Sequence, residues 1–279
     1  MQQAKTVTSG LVLRQTVTKE TDLILTVLTP DLGKIPVIAR GARRKNSRLA
    51  AACQLLAYSE LTVYQKGAWY MLDEASTIEL FDGVRQDFEN LALASFFAEL
   101  TESVAEEGSP APELLRLLLN ALYALGVLHK EPLLVKAAFT LRLLALAGFE
   151  PLADGCAVCG RPEPEKPMLD VVHGIVHCAA CKQPGGLSLP LTQGALAALR
   201  HILYCPDKKL YSFTLERPAL RQLDHAAEAL TAAQLERSFR TLLEFFADDA
   251  AVKRCISPKT ERTTVLLGDD LPEYAMPGL

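Results

Sequence analysis

The sequence predicts an α+β chain in two parts: an N-terminal five-stranded β-barrel of OB type, then an α-helical domain carrying a four-cysteine, zinc-ribbon-like insertion. Three observations carry that expectation. Short β-branched runs fill the chain to about Leu80, the apolar period becomes helical after Asp82-Gly83, and two C-x-x-C pairs interrupt the helical part. A length of 279 residues suits roughly two domains. Hydrophobic residues at 49% and charged residues at 22% exclude disordered and collagen-like classes. The expected division is 1–81 for the barrel, 82–255 for the helical domain with the insertion at about 149–190, and 256–279 for a C-terminal tail.

The elements follow in order. Gly10–Val17 and Leu23–Leu28 read as the first two strands, Pro30-Asp31-Leu32-Gly33 as a turn and Ile35–Ala39 as the third strand. Leu55–Gln65 and Ala68–Leu80 read as the fourth and fifth, joined by Lys66-Gly67. Five short strands in this length fit an OB barrel, and the strand count alone fits an SH3-like barrel equally. Apolar residues from Phe88 to Leu100 recur at three- and four-residue spacing in a helix expected to run to Glu107. Pro112–Leu128 and Pro132–Ala147 form the next two helices, each with Pro in its first turn, the second ended by Gly148. Beyond the cysteine-rich stretch, Thr192–Leu203 and Thr231–Phe246 resume helical periodicity, and Ile256–Leu279 shows none.

Charge is divided along the chain. The net charge of −4 hides a first 80 residues with 10 Lys and Arg against 7 Asp and Glu, and a remainder with 19 against 26. No acid lies between Leu32 and Ser59, where Lys34, Arg40, Arg43, Arg44, Lys45 and Arg48 supply six cations. Flexible cations in an inter-strand loop can track phosphates, so these six are the candidate nucleic-acid contacts, with Arg14 and Lys19 as extensions if the fold brings them near. Tyr64, Trp69 and Tyr70 are candidate stacking platforms, although strand aromatics more often fill a core.

Seven cysteines in a chain with no secretion signal or membrane span point to thiols or metal ligands. Cys156-x-x-Cys159 and Cys178-x-x-Cys181 have the spacing of a four-cysteine zinc site. Four thiolates close a tetrahedral shell, so one structural zinc ion is expected there. Disulfides and unmetallated thiols are the alternatives. Cys53, Cys205 and Cys255 read as small buried hydrophobes. His173 and His177 lack the intervening Glu of a zinc hydrolase and read as solvated hairpin residues. No acidic cluster of a metal nuclease, no H-x-E of a deaminase and no phosphate loop is seen, since Gly33-Lys34 continues into Ile35. The chain is expected to be no enzyme and to need no nucleotide.

At these residues the sequence resembles the RecO family of bacterial DNA repair and recombination mediators, over nearly its whole length. Gly10-Leu-Val-Leu-Arg14, Glu20-Thr-Asp22, Leu28-Thr29 and Gly33-Lys34 are similar to the opening of that family's OB-fold. Arg40-Gly-Ala-Arg43-Arg44 with Ser47-Arg48-Leu49 resembles its DNA-binding basic segment. Gly148-Phe-Glu-Pro-Leu152, running into the two C-x-x-C pairs, resembles its zinc-bearing members. Thr18 replaces an aromatic and Gln54-Leu55-Leu56 replaces a proline-containing stretch, and neither loses a cation or a ligand.

The resemblance implies binding of single- and double-stranded DNA and annealing of complementary strands. With RecR as partner, it implies help for RecA in replacing single-strand-binding protein (SSB), whose acidic C-terminal tail would dock on the helical domain. It also implies a cytoplasmic, nucleoid-associated protein. The competing reading is a zinc-ribbon and OB-fold factor that binds RNA or a protein surface, separable by its preference for RNA over DNA.

Overall fold

The computed structural model describes residues 4–181 and 184–235. Five strands, β1 (Lys5–Val17), β2 (Leu23–Thr29), β3 (Gly33–Ala39), β4 (Tyr58–Lys66) and β5 (Trp69–Glu79), close into a barrel of order β1-β2-β3-β5-β4. β1 is long enough to pair with two neighbours, meeting β4 from Lys5 to Leu11 and β2 from Leu11 to Val17. A register shift between Val12 and Arg14 bends it between the two. Closure comes from a short parallel contact of β3 with β5, Val37 opposite Tyr70 and Ile38 opposite Met71. This is the OB order of strands.

Period-two burial drives the barrel. Along β3, Gly33, Ile35, Val37 and Ala39 point inward while Lys34, Pro36 and Ile38 do not. Val12, Leu25, Val27, Ile35, Val37, Leu61 and Val63 fill the interior. Ala42 and Cys53, from the segment between β3 and β4, join that same core.

The helical part comprises α1 (Asp82–Arg85), α2 (Phe88–Val104), α3 (Pro112–Gly126), α4 (Pro132–Leu146), α5 (Gln193–Tyr204) and α6 (Arg217–Leu235). Asp87 caps α2 by accepting the Asn90 N–H at 2.8 Å, and Thr192 caps α5 by accepting that of Ala195 at 3.1 Å. Gly148 (φ 89°) ends α4 as expected, with the Phe149 N–H on the Leu144 carbonyl. α4 is central: Phe139 stacks on Phe97 of α2 with ring centroids 4.1 Å apart. Its Lys136 is 3% exposed and held by Asp224 and Glu228 of α6.

Barrel and helices share one apolar cluster, in which Leu11, Leu13, Leu28 and Leu56 join the helical leucines. Gly33 shows how close the approach is. Its φ is 64°, and a Cβ there would lie 2.1 Å from the Ser109 carbonyl oxygen, so only glycine passes. Leu56 donates its N–H to the Val12 carbonyl at 2.9 Å with φ 61°. A proline could supply neither at that position, which suits the absence of proline from Gln54-Leu55-Leu56.

The insertion is a three-stranded sheet of order β7-β6-β8, formed by β6 (Pro167–Asp170), β7 (Ile175–Cys178) and β8 (Ser188–Pro190). Three expectations are corrected. The last described helix starts at Arg217 rather than Thr231, because its buried stripe of Ala219, Leu220, Leu223, Ala226 and Ala227 is alanine-rich and weakly apolar. α2 ends at Val104 instead of Glu107. His177 is not solvated: it is 1% exposed, its Nδ1 2.8 Å from the Cys178 carbonyl and its Nε2 2.8 Å from the Ser188 hydroxyl. The expected helix end at Phe246, Cys255 and the tail 256–279 lie outside the described residues. Among the described residues, no helix is long and apolar enough to cross a membrane.

Candidate nucleic-acid interface and metal centre

The basic segment is a run of turns from Arg40 to Ala57. Apolar residues pin it on both sides: Ala42 is buried in the barrel core before the cations, and Ala52 and Cys53 are buried after them. Burial also pushes the Cys53 thiol up to about 12, so it packs rather than reacts. Between these anchors Arg43, Arg44, Lys45 and Arg48 stand exposed, as does Arg40 at the exit of β3. Among the described residues, none of these five forms an ion pair with a carboxylate, so their charge faces solvent.

The loop rests on the β1–β2 connection. The Asp22 carboxylate accepts the Gly41 N–H at 2.7 Å, and the Thr21 carbonyl accepts that of Arg43 at 2.9 Å. The Arg43 guanidinium donates to the Glu20 carbonyl at 3.1 Å, which leaves other N–H groups of its five-donor fork outward. The Gly41 N–H is the main cause that holds the Asp22 carboxyl below the ordinary carboxylate value. Burial opposes it, while the Thr21 hydroxyl, Lys19 and Arg40 help. Lys19 is exposed on the same connection.

The structure separates cations that look alike in sequence. Lys34 sits six residues before Arg40, at the far end of β3 and about 20 Å of strand away. It is half-buried and its ammonium donates to the Glu102 carbonyl at 2.8 Å. Arg14 pairs with the Glu102 carboxylate at 2.9 Å. Both cations therefore serve the junction with α2, and only Lys19 of the two suggested extensions lies by the loop. Of the aromatics, Tyr64 and Tyr70 are half-buried and Trp69 is 37% exposed. The β3–β5 register places Trp69 level with Pro36, about 13 Å of strand short of Arg40. Sequence reading missed Thr21 and Asp22 as the floor of the loop. Their signal was present in the Glu20-Thr-Asp22 element, whose acid lies across the barrel end from a run of cations.

The second constellation is the cysteine cluster. The Sγ atoms of Cys156, Cys159, Cys178 and Cys181 all lie within 4.8 Å of one another, and those of Cys159 and Cys178 are 4.0 Å apart. A tetrahedral four-thiolate shell with bonds of about 2.3 Å has edges of about 3.8 Å, so the four fit one metal ion. Gly160 (φ 71°) lets the first knuckle turn back, with its N–H on the Cys156 carbonyl at 2.9 Å. The N–H of Cys178 reaches the Cys156 sulfur at 3.3 Å. Burial of Cys156 resists ionisation, yet the N–H groups of Cys159, Cys178 and Val158 outweigh it and bring the thiol down to about 6. Cys181 is pushed up to about 12, first by its hydrogen bond with Cys159 and then by burial. Among the described residues no fifth ligating side chain joins the four sulfurs, which matches a closed structural site better than an open catalytic one.

Arg200 of α5 ties this unit to the helices. Its Nε donates to the Ala153 carbonyl and one Nη to that of Pro162, each at 2.7 Å. Gln234 of α6 reaches the Val171 carbonyl at 2.9 Å.

Two family models match the chain. The family model described as "Recombination protein O N terminal" matches residues 1–81, and the one described as "Recombination protein O C terminal" matches residues 85–243. A DNA repair protein RecO of Acetivibrio thermocellus is 32% identical over 238 residues, covering 85% of this chain and 94% of its own. One from Anaeromyxobacter sp. (strain K) is 34% identical, covering 80% and 88%. One from Caldicellulosiruptor bescii is 30% identical, covering 86% and 96%.

Proposed function

This chain belongs to the RecO family, and from that premise we propose that it is a DNA repair and recombination mediator acting without catalysis. In this reading the barrel, residues 1–81, binds single- and double-stranded DNA through Arg40, Arg43, Arg44, Lys45 and Arg48. Lys34 is left out because it lies half-buried at the far end of β3, against α2, away from the other five. The observation that carries the proposal is the docked loop of five exposed cations that form no ion pair with a carboxylate among the described residues.

Annealing makes and breaks no covalent bond. Cations between two phosphate backbones lower their repulsion and raise local strand concentration, while base pairing supplies the driving force. No nucleotide is needed for that. The cysteine cluster holds one structural zinc, which when bound fixes the knuckles while Arg200 and Gln234 of this chain join the insertion to α5 and α6. RecR is the proposed partner for loading RecA onto SSB-coated DNA, the acidic SSB tail docking on the helical domain. The site of action is the cytoplasm, at the nucleoid.

The test is annealing of complementary strands precoated with SSB, without nucleotide. Wild-type protein should anneal them, and Arg43→Glu/Arg44→Glu should not. Folded wild-type protein that fails to anneal, or that prefers RNA to DNA, overturns the proposal.

A further inference from the structure

Electrostatics alone makes Asp22 a liability. It is a carboxylate set beside a loop meant for phosphates, and like charge repels. Geometry gives it a different part. Its oxygen takes the N–H of Gly41, the residue that follows Arg40 and whose φ of 66° turns the chain into the basic run. From Gly41 the order propagates. The Arg44 N–H closes onto the Gly41 carbonyl at 3.1 Å, and the Arg44 side chain lies across Gly41, its Nε 3.1 Å from where a Cβ would stand. The Thr21 and Glu20 carbonyls then hold Arg43 by its N–H and its guanidinium. Asp22 forms no ion pair with a guanidinium among the described residues; Lys19 and Arg40 attract its charge from further off, so it offsets a part of the loop's charge while it orders the loop.

We propose that Asp22 is a positioning residue for nucleic-acid binding: it clamps Arg40–Arg44 into one preorganised array, so that this carboxylate strengthens phosphate binding instead of weakening it. The inference rests on the DNA-binding reading above. A loop released from the clamp must be ordered at the moment of binding, and ordering a single backbone residue is already equivalent to roughly tenfold in affinity.

Two variants of the full chain separate positioning from charge. Asp22→Ala removes both the charge and the acceptor, whereas Asp22→Asn removes the charge but keeps an oxygen that can accept the Gly41 N–H. Affinity is read with a labelled oligothymidylate. Loop order is read without DNA, as the rate of trypsin cleavage after Arg43, Arg44 and Lys45. The clamp predicts that Asp22→Ala binds about tenfold more weakly and is cut faster, while Asp22→Asn binds as wild type or slightly tighter and is cut at the wild-type rate. An Asp22→Ala protein that binds as well as wild type or tighter, the outcome of charge removal alone, overturns the proposal. So does unchanged cleavage in the loop. Should the wild-type protein fail to bind DNA, the function above fails on its own, and the trypsin comparison still decides whether Asp22 orders the loop.

Discussion

Replacing Arg43 and Arg44 together by Ala should change how DNA affinity depends on salt, by an amount that follows from which cations are free. Five exposed cations, each neutralising one phosphate of a single strand, give a log affinity against log salt slope of about −3.5. Losing two brings it to about −2.1. A fourfold rise in salt then weakens the wild type about 130-fold and the variant only about 18-fold. Lys34→Ala is the internal control. It removes a cation from the same acid-free stretch, yet its ammonium is bonded to the Glu102 carbonyl at the other end of β3, so the slope should stay at the wild-type value. Fluorescence anisotropy of a labelled oligothymidylate over a salt series reads all three slopes. An unaltered slope in the double variant, or a flattening by Lys34→Ala equal to half that of the double variant, would refute the assignment of free charge to the loop.

Three further outcomes test other parts of the structure. Purified protein should contain about one zinc per chain, and Cys178→Ser or chelation should unfold the insertion, since a structural zinc contributes on the order of 10 kcal/mol to such a unit; mass spectrometry and thermal melting check this. Lys136→Met should destabilise by about 3–5 kcal/mol in denaturant unfolding, because it leaves Asp224 and Glu228 against the buried surface of α4 without their cation. Burial opposes the charge on Lys136, but the two carboxylates outweigh it and raise its pKa above 10.5, so this stabilisation is complete below about pH 10.5 and is lost as pH rises through the folded value; melts across alkaline pH read the loss.

Much of this was legible in the residues, and the misses have identifiable causes. β2 and β3 could be read because Leu23–Leu28 and Ile35–Ala39 are β-branched runs with one face inward. The first half of β1 could not, since Lys5-Thr-Val-Thr-Ser9 is polar and mostly exposed, and is held as strand by pairing with β4. Barrel closure was equally hidden, because two residue pairs between β3 and β5 accomplish it and no local pattern encodes a parallel contact. The cysteine cluster was readable from spacing alone, as a knuckle brings its sulfurs together through local geometry. The place of Lys34 is hidden for the opposite reason: six residues of strand carry it to another end of the barrel from Arg40, a separation that charge counting ignores. The part of Asp22 is not local either, because the Glu20-Thr-Asp22 element meets its partner Gly41 only across the barrel end.

In the proposed function the loop after β3 is the DNA contact surface. Hydrogen exchange of the full chain with and without oligothymidylate tests it most directly. Slowed exchange is expected across residues 40–48 and at 19–22, with the β4–β5 turn and the cysteine insertion unchanged. Slowing confined to the insertion at 149–190 or to the helices, with the loop exchanging as in free protein, would contradict it.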